Sequence, residues 1–283
     1  MSTDDQLSPI GRFERILLAS DGSEYCADAE QVALAMTEKC GGTLQLVSVA
    51  ITNPAAEEVA PELMQAAEQE SRALLDRLHE EAVKRGIASE TILRRGLDPY
   101  VEIVTAAEKN GSDVIVMGRR GKRGLMQRMI GDATSKVVGR AKCSVLVVPE
   151  GARMWQTRIL LATDGSRFSD AAAVAAARIA SLCKVAVTVI STVRESFSEE
   201  RAAQADDAAT RVHDHLAERG IEVDKVVLRG NPEKLILETA AARGADLIVM
   251  GTHGRTGWER VMVGSVAASV IAESKVPVLA VKL

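Results

Sequence analysis

The sequence predicts an α/β protein of two tandem, doubly wound domains, each a five-stranded parallel sheet with helices on both faces in flavodoxin-like layering. Three observations carry this expectation. Of 283 residues, 47% are hydrophobic but only 2% are aromatic, so the core must be Val, Leu, Ile and Ala, which suits parallel strands covered on both faces. Apolar runs with strand character alternate with helical periodicities, and such alternation closes into a parallel sheet. Finally, the chain repeats itself, and its length suits about two domains.

The repeat is read from two registers. Arg15–Gly22 is RILLASDG and Arg158–Gly165 is RILLATDG, 143 positions later. Met117–Gly124 is MGRRGKRG and Met250–Gly257 is MGTHGRTG, at an offset of 133, which also matches Gly131 to Gly264 and VLVV (145–148) to VLAV (278–281). The second copy is thus ten residues shorter, with most of the loss between about residues 50 and 86. The expected domains are 1–150 and 154–283. The short linker Glu150–Arg153 implies that the halves pack closely.

In the first copy, strands are expected near 14–20, 43–50, 90–95, 113–117 and 144–148, and helices near 24–40, 60–85, 98–109 and 132–141. In the second, strands are expected near 157–163, 185–192, 222–229, 246–250 and 277–281, and helices near 167–182, 198–219, 232–243 and 264–274. Pro99 and Pro232 suit the first turn of a helix, while Gly86 and Gly220 stand where a helix should stop. Residues 1–12 read as a loose polar arm, and Ile51–Ala60 as an overhang near the first half's strand ends.

Composition narrows the function. A net charge of −4 argues against a broad nucleic-acid or acidic-membrane surface. Cys26, Cys40, Cys143 and Cys183 lack CxxC or zinc-ligand spacing and read as reduced thiols of a cytoplasmic protein. The N-terminus does not resemble a signal or transit peptide, and no apolar run approaches a membrane span. His213 and His215 are two apart on an expected helix and face apart, a poor metal pair; no metal site is expected.

The chemistry concentrates at the carboxyl ends of the strands, where open parallel sheets bind ligands at the point of chain reversal. In the second half, Ala162, Thr163 and Asp164 end the first strand. Met250, Gly251, Gly254 and Arg255 follow the fourth, and Gly264, Ser265 and Val266 open the last helix. Backbone N–H groups at a glycine loop and helix start suit phosphate oxygens, with the Ser265 hydroxyl as a further donor. Asp164 suits a ligand amine or hydroxyl, or Mg²⁺ beside phosphates. A purely structural reading stands beside this one: the loop is a simple turn, Ser265 an N-cap, and Asp21 and Asp164 caps of the following helices. His253 reads first as a polar loop residue.

These residues resemble the universal stress protein family in tandem form, over nearly the whole chain. Gly251, Gly254, Gly264 and Ser265 match the pattern G-x2-G-x9-G-[S/T] of its ATP-binding members, with the first-strand DGS and the final VLAV at the right spacing. The resemblance implies a fold of the adenine nucleotide alpha hydrolase type and a stress-response role. It implies ATP or AMP as ligand, with Mg²⁺ alongside ATP, and adenine contacts from main chain near Thr192 and Val193. It further implies an internal pseudo-dimer, a homodimer as a further option, and an unidentified protein partner. In the first half, Ala19, Ser20, Asp21, Val49, Gly118, Gly121 and Gly131 keep the arrangement, but Asp132 replaces Ser or Thr and brings a negative charge to the phosphate position. Arg119, Arg120, Lys122, Arg123 and Arg128 could offset that charge or serve another anion.

Other readings fail on their motifs. A receiver domain needs an acidic pair and an acceptor Asp; Walker A, Rossmann GxGxxG and SGGxDS loops are absent. No catalytic triad or paired carboxylates stand out, so no catalytic residue is assigned and hydrolysis of ATP should be slow at most. The alternative to a nucleotide-binding signalling module is a protein-interaction module with vestigial sites.

Overall fold

The structure, a computed structural model, describes residues 13–52, 61–121, 130–254 and 263–283. The expected arm at 1–12, most of the Ile51–Ala60 overhang, the basic residues Lys122, Arg123 and Arg128, and Arg255 lie outside the described residues.

One unit spans Phe13–Ala152. Its elements are β1 (Arg15–Ala19), α1 (Glu24–Cys40), β2 (Thr43–Ile51), α2 (Pro61–Lys84), β3 (Ser89–Gly96), α3 (Pro99–Lys109), β4 (Val114–Gly118), α4 (Asp132–Arg140) and β5 (Ser144–Val148). The strands lie in the order β3-β2-β1-β4-β5, all parallel. The second unit, Arg153–Leu283, repeats the plan. It has β6 (Arg158–Ala162), α5 (Arg167–Cys183), β7 (Ala186–Val193), α6 (Glu199–Ala217), β8 (Val223–Arg229), α7 (Pro232–Ala242), β9 (Leu247–Gly251), α8 (Ser265–Glu273) and β10 (Val278–Val281). Its order is β8-β7-β6-β9-β10, again parallel. The α/β class and the tandem parallel sheets are as the sequence predicts.

The central strands are buried throughout because helices cover both faces: Ile16, Leu17, Leu18, Ile159, Leu160 and Leu161 are fully inaccessible. Helix α5 buries an almost pure alanine face, including Ala172, Ala175 and Ala176, and small side chains let a helix lie close to a sheet. Pro99 and Pro232 stand at the first helical positions, where the missing N–H costs nothing. Gly86 and Gly220 both take φ of +71° just after α2 and α6, a left-handed stop that a Cβ would disfavour. At the opposite edge from the strand ends, Asp113 and Asp246 brace their sheets. Asp113 Oδ2 accepts from Glu14 and Arg15 N–H, and Asp246 accepts from Gln156, Thr157 and Arg158 N–H. Among the described residues no helix is long and apolar enough to cross a membrane.

Candidate functional site

In the second unit the chain runs from β6 outward through β7 to β8, then returns to β9 on the other side of β6. The reversal leaves a crevice at the carboxyl ends of β6 and β9. A cavity of about 350 Å³ opens there. Every described residue expected at this site lines it: Ala162, Thr163, Asp164, Thr192, Val193, Met250, Gly251, Gly254, Gly264, Ser265 and Val266.

The turn after β6 is held by its own side chains. Asp164 Oδ1 accepts the Ser166 N–H at 3.0 Å, an Asx turn. Thr163 Oγ1 accepts the Gly165 N–H at 3.3 Å and donates to Ser169 Oγ at 3.2 Å. The N-cap of α5 is Ser166, whose Oγ accepts the Ser169 N–H at 3.3 Å. The capping role expected of Asp164 therefore belongs to Ser166, and the aspartate closes the preceding turn. Its other oxygen faces Gly254, where an added Cβ would stand 2.8 Å from it.

The glycines are explained by close approach. A Cβ on Gly251 would come within 2.8 Å of the Phe168 backbone, and one on Gly264 within 3.2 Å of the Thr252 carbonyl oxygen. Gly264, not Ser265, is the N-cap of α8. Ser265 is the first helical residue and is exposed, at the end where a helix leaves N–H groups without intrahelical partners and carries its positive pole. His253 shares a hydrogen bond with Thr252 Oγ1 at 3.1 Å, and its ring centroid is 5.2 Å from that of Phe168.

The wall formed by β7 and the elements after it carries residues that sequence reading missed. Ser191 lines the cavity, is 1% exposed, and its Oγ has no hydrogen-bond partner among the described residues. Arg194, Phe197, Arg201 and Ala205 line the rim, with Pro232 and Ile236 of α7. The Arg201 guanidinium lies 5.8 Å from the Phe197 ring centroid. None of these belongs to a motif. The one available signal was that Arg194 directly follows the strand-end residues already singled out.

In the first unit the equivalent residues also gather at the strand ends, where the side chains of Ser20 and Asp21 are engaged by their neighbours. Ser20 Oγ donates to the buried Glu30 at 2.6 Å and accepts the Gly22 N–H at 3.1 Å; Glu30 pairs with Arg77 at 2.8 Å. Asp21 Oδ1 accepts from Ser23 N–H at 3.0 Å and from the Cys26 thiol at 3.3 Å, and Asp21 also crowds Gly121. Burial, then the Asp21 charge, pushes the Cys26 thiol up to about 11. Ser23, not Asp21, is the N-cap of α1. Arg120 is buried, and Arg119 is held below its usual pKa by burial and then by the Arg120 charge. With Tyr25 and Glu150 these arginines line a small void of about 10 Å³. Gly118 lies against the Tyr25 carbonyl and Gly131 against that of Arg119. Ala19 ends β1, and Val49 sits half-buried near the end of β2. Asp132 projects into solvent and pairs with Lys136 at 2.8 Å, which raises the lysine pKa.

The sequence matches the universal stress protein family twice, over residues 12–149 and 156–282. A universal stress protein of Methanocaldococcus jannaschii is 35% identical over 149 residues, 48% of this chain and 87% of the relative. One from Synechocystis is 23% identical over 291 residues, 94% of this chain and 99% of the relative. The crystal structure of a universal stress protein from Archaeoglobus fulgidus superposes with a TM-score of 0.79 at 23% identity, covering 96% of this chain and 99% of that one, a likeness of fold.

Proposed function

The chain belongs to the universal stress protein family, and within it we propose that the second unit binds an adenine nucleotide, ATP or AMP, as a cytoplasmic stress-response module. The observation that carries this reading is the convergence of four separated segments, ending β6, ending β7, ending β9 and opening α8, on one cavity. The phosphates would lie on the N-terminal end of α8 beside Gly254, Gly264 and Ser265, where open N–H donors and the helix dipole favour an anion. The nucleoside would cross β6, past Asp164, to main chain at Thr192 and Val193.

The donor set fits such a ligand. It offers N–H groups and a hydroxyl at one end, an apolar floor of Ile190, Val193 and Ile236, and the unpartnered Ser191 hydroxyl. Among the described residues no cluster of three or more His, Cys, Asp or Glu could hold a metal. Mg²⁺ accompanying ATP would therefore take one carboxylate, Asp164, and depend on the phosphates for the rest. Asp164 and His253 are the acid–base groups among the described lining residues, and each is engaged locally. With none of the described groups aimed to activate water, turnover should be slow, and the nucleotide acts by binding, setting the shape offered to a protein partner.

The test is to denature the purified chain and identify released nucleotide by chromatography and mass, followed by titration with Mg-ATP and AMP. Roughly one adenine nucleotide per chain, or saturable binding of either added nucleotide, is the expected result for a single pocket of this kind. Neither release nor binding would overturn the proposal and leave a nucleotide-free interaction module.

A further inference from the structure

The end of the cavity away from the glycine loop is cationic. Arg194 and Arg201 both line it. Neither forms an ion pair among the described residues. Arg201 makes one side-chain hydrogen bond, to Gln204 at 3.2 Å, and rests on Phe197. Arg194 acts on Glu233 only at a distance: the Glu233 carboxyl is lowered first by its backbone hydrogen bond and by Asn231, and last by Arg194. Two guanidinium groups beside one cavity without a carboxylate partner leave their phosphate-matching donors open.

Topology places this charge away from the phosphate end assigned above. β7 and β9 flank β6, so their ends are separated by two strand spacings, about 10 Å. Arg194 follows β7 and the glycine loop follows β9. A nucleotide with its 5′-phosphates on α8 therefore brings its ribose and base toward Arg194 and Arg201, where an unmodified nucleoside has no charge to offer them. The β7 end also carries the buried, unpartnered Ser191 hydroxyl, a second polar group there that the fold leaves unmatched. In the first copy Ile51 occupies the position of Arg194, so the arginine is particular to the second copy.

We propose that Arg194 and Arg201 read a second phosphate on the ribose side of the ligand, so that the site prefers an adenosine bisphosphate over the simple 5′-monophosphate. This rests on the nucleotide reading of the same cavity. The full chain is titrated calorimetrically with AMP, adenosine 3′,5′-bisphosphate and adenosine 2′,5′-bisphosphate, and with ATP, at one ionic strength. One bisphosphate should bind about tenfold to a hundredfold tighter than AMP, the range for charge-assisted hydrogen bonds. That ratio should shrink as salt rises. In Arg194→Ala and Arg201→Ala the ratio should fall toward one; both positions are on the rim, so folding is checked by the melting curve. Equal affinity for AMP and both bisphosphates in the unmodified chain overturns this proposal while leaving nucleotide binding intact. A preference that survives both substitutions overturns the arginine assignment. Failure of all four compounds to bind overturns the nucleotide reading with it.

Discussion

The two units share a strand order and a glycine spacing, yet they carry different side chains at their strand ends: the second opens a cavity of about 350 Å³ there, while the first sets the buried Arg120 beside Arg119, Tyr25 and Glu150. The glycines do not make the difference. Gly118 and Gly251 each lie against backbone at the start of the neighbouring helix, at Tyr25 and Phe168. Side chains differ. Where the second unit has Thr252, His253, Ser265 and Ala173, the first has Arg119, Arg120, Asp132 and Glu30. Arg120 is buried and Glu30 ties Ser20 to Arg77, while Asp132 faces solvent at the start of its helix. The lesson is that the glycine spacing reports how helices meet the sheet, and the residues between the glycines report what the crevice holds.

The substitution expected to have the largest effect transfers one of those residues. Ser265→Asp places a carboxylate at the start of α8, where the proposed phosphates would lie. Like charges about 4 Å apart cost on the order of 4 kcal/mol at an effective dielectric constant near 20, so adenine nucleotide affinity should fall by roughly a hundredfold to a thousandfold. Stability should change little, since an acidic residue suits the first turn of a helix. Calorimetric titration and a melting curve separate the two effects. Undiminished binding would break the comparison, because Asp132 would then no longer set the first unit apart.

A smaller effect sharpens the glycine argument. In Gly118→Ala the new Cβ would stand 2.6 Å from the Tyr25 carbonyl oxygen, and in Gly251→Ala 2.8 Å from the Phe168 backbone. Backbone must move in either case, and overpacking of this kind costs about 1–3 kcal/mol. Urea unfolding of the full chain should show losses of similar size for the two variants. Loss of nucleotide binding with unchanged stability in Gly251→Ala would instead make that glycine a ligand contact.

Much of this was legible in the sequence because the two halves corroborate each other. Repeated RILLA and VLxV runs fixed the first and last strands of each unit, and Pro99, Pro232, Gly86 and Gly220 fixed the helix ends by local backbone chemistry that tertiary packing does not override. The residues at the ends of β6 and β9 were legible for the same reason, since strand-end motifs converge wherever a parallel sheet reverses. The rim was not. Phe197 and Arg201 follow no motif and reach the cavity from the turn after β7 and the first turn of α6, a placement that depends on packing. Ser191 is one residue in a buried apolar strand, and only its unmatched hydroxyl distinguishes it. The helix caps are not settled by residue type, because Asp and Ser two positions apart are equally good candidates; the geometry gives the turn to Asp21 and Asp164 and the cap position to Ser23 and Ser166.

That division of labour supplies the smallest and most discriminating test. Both turns are closed alike, with a carboxylate oxygen accepting the serine N–H at 3.0 Å. They differ one step later: Ser166 Oγ accepts the Ser169 N–H at 3.3 Å, while Ser23 makes no side-chain cap bond. Ser166→Ala should therefore cost about 0.5–1 kcal/mol, the lower part of the range for losing a cap, because the bond is long. Ser23→Ala should cost close to nothing. Amide hydrogen exchange over the first turns of α1 and α5 reads the difference locally, with a protection loss in α5 and none in α1. Equal losses would mean that Ser23 holds its helix by a contact other than the cap. No loss in either would mean that the aspartates alone fix both helix starts, and the difference between the two crevices would then rest entirely on the residues that face them.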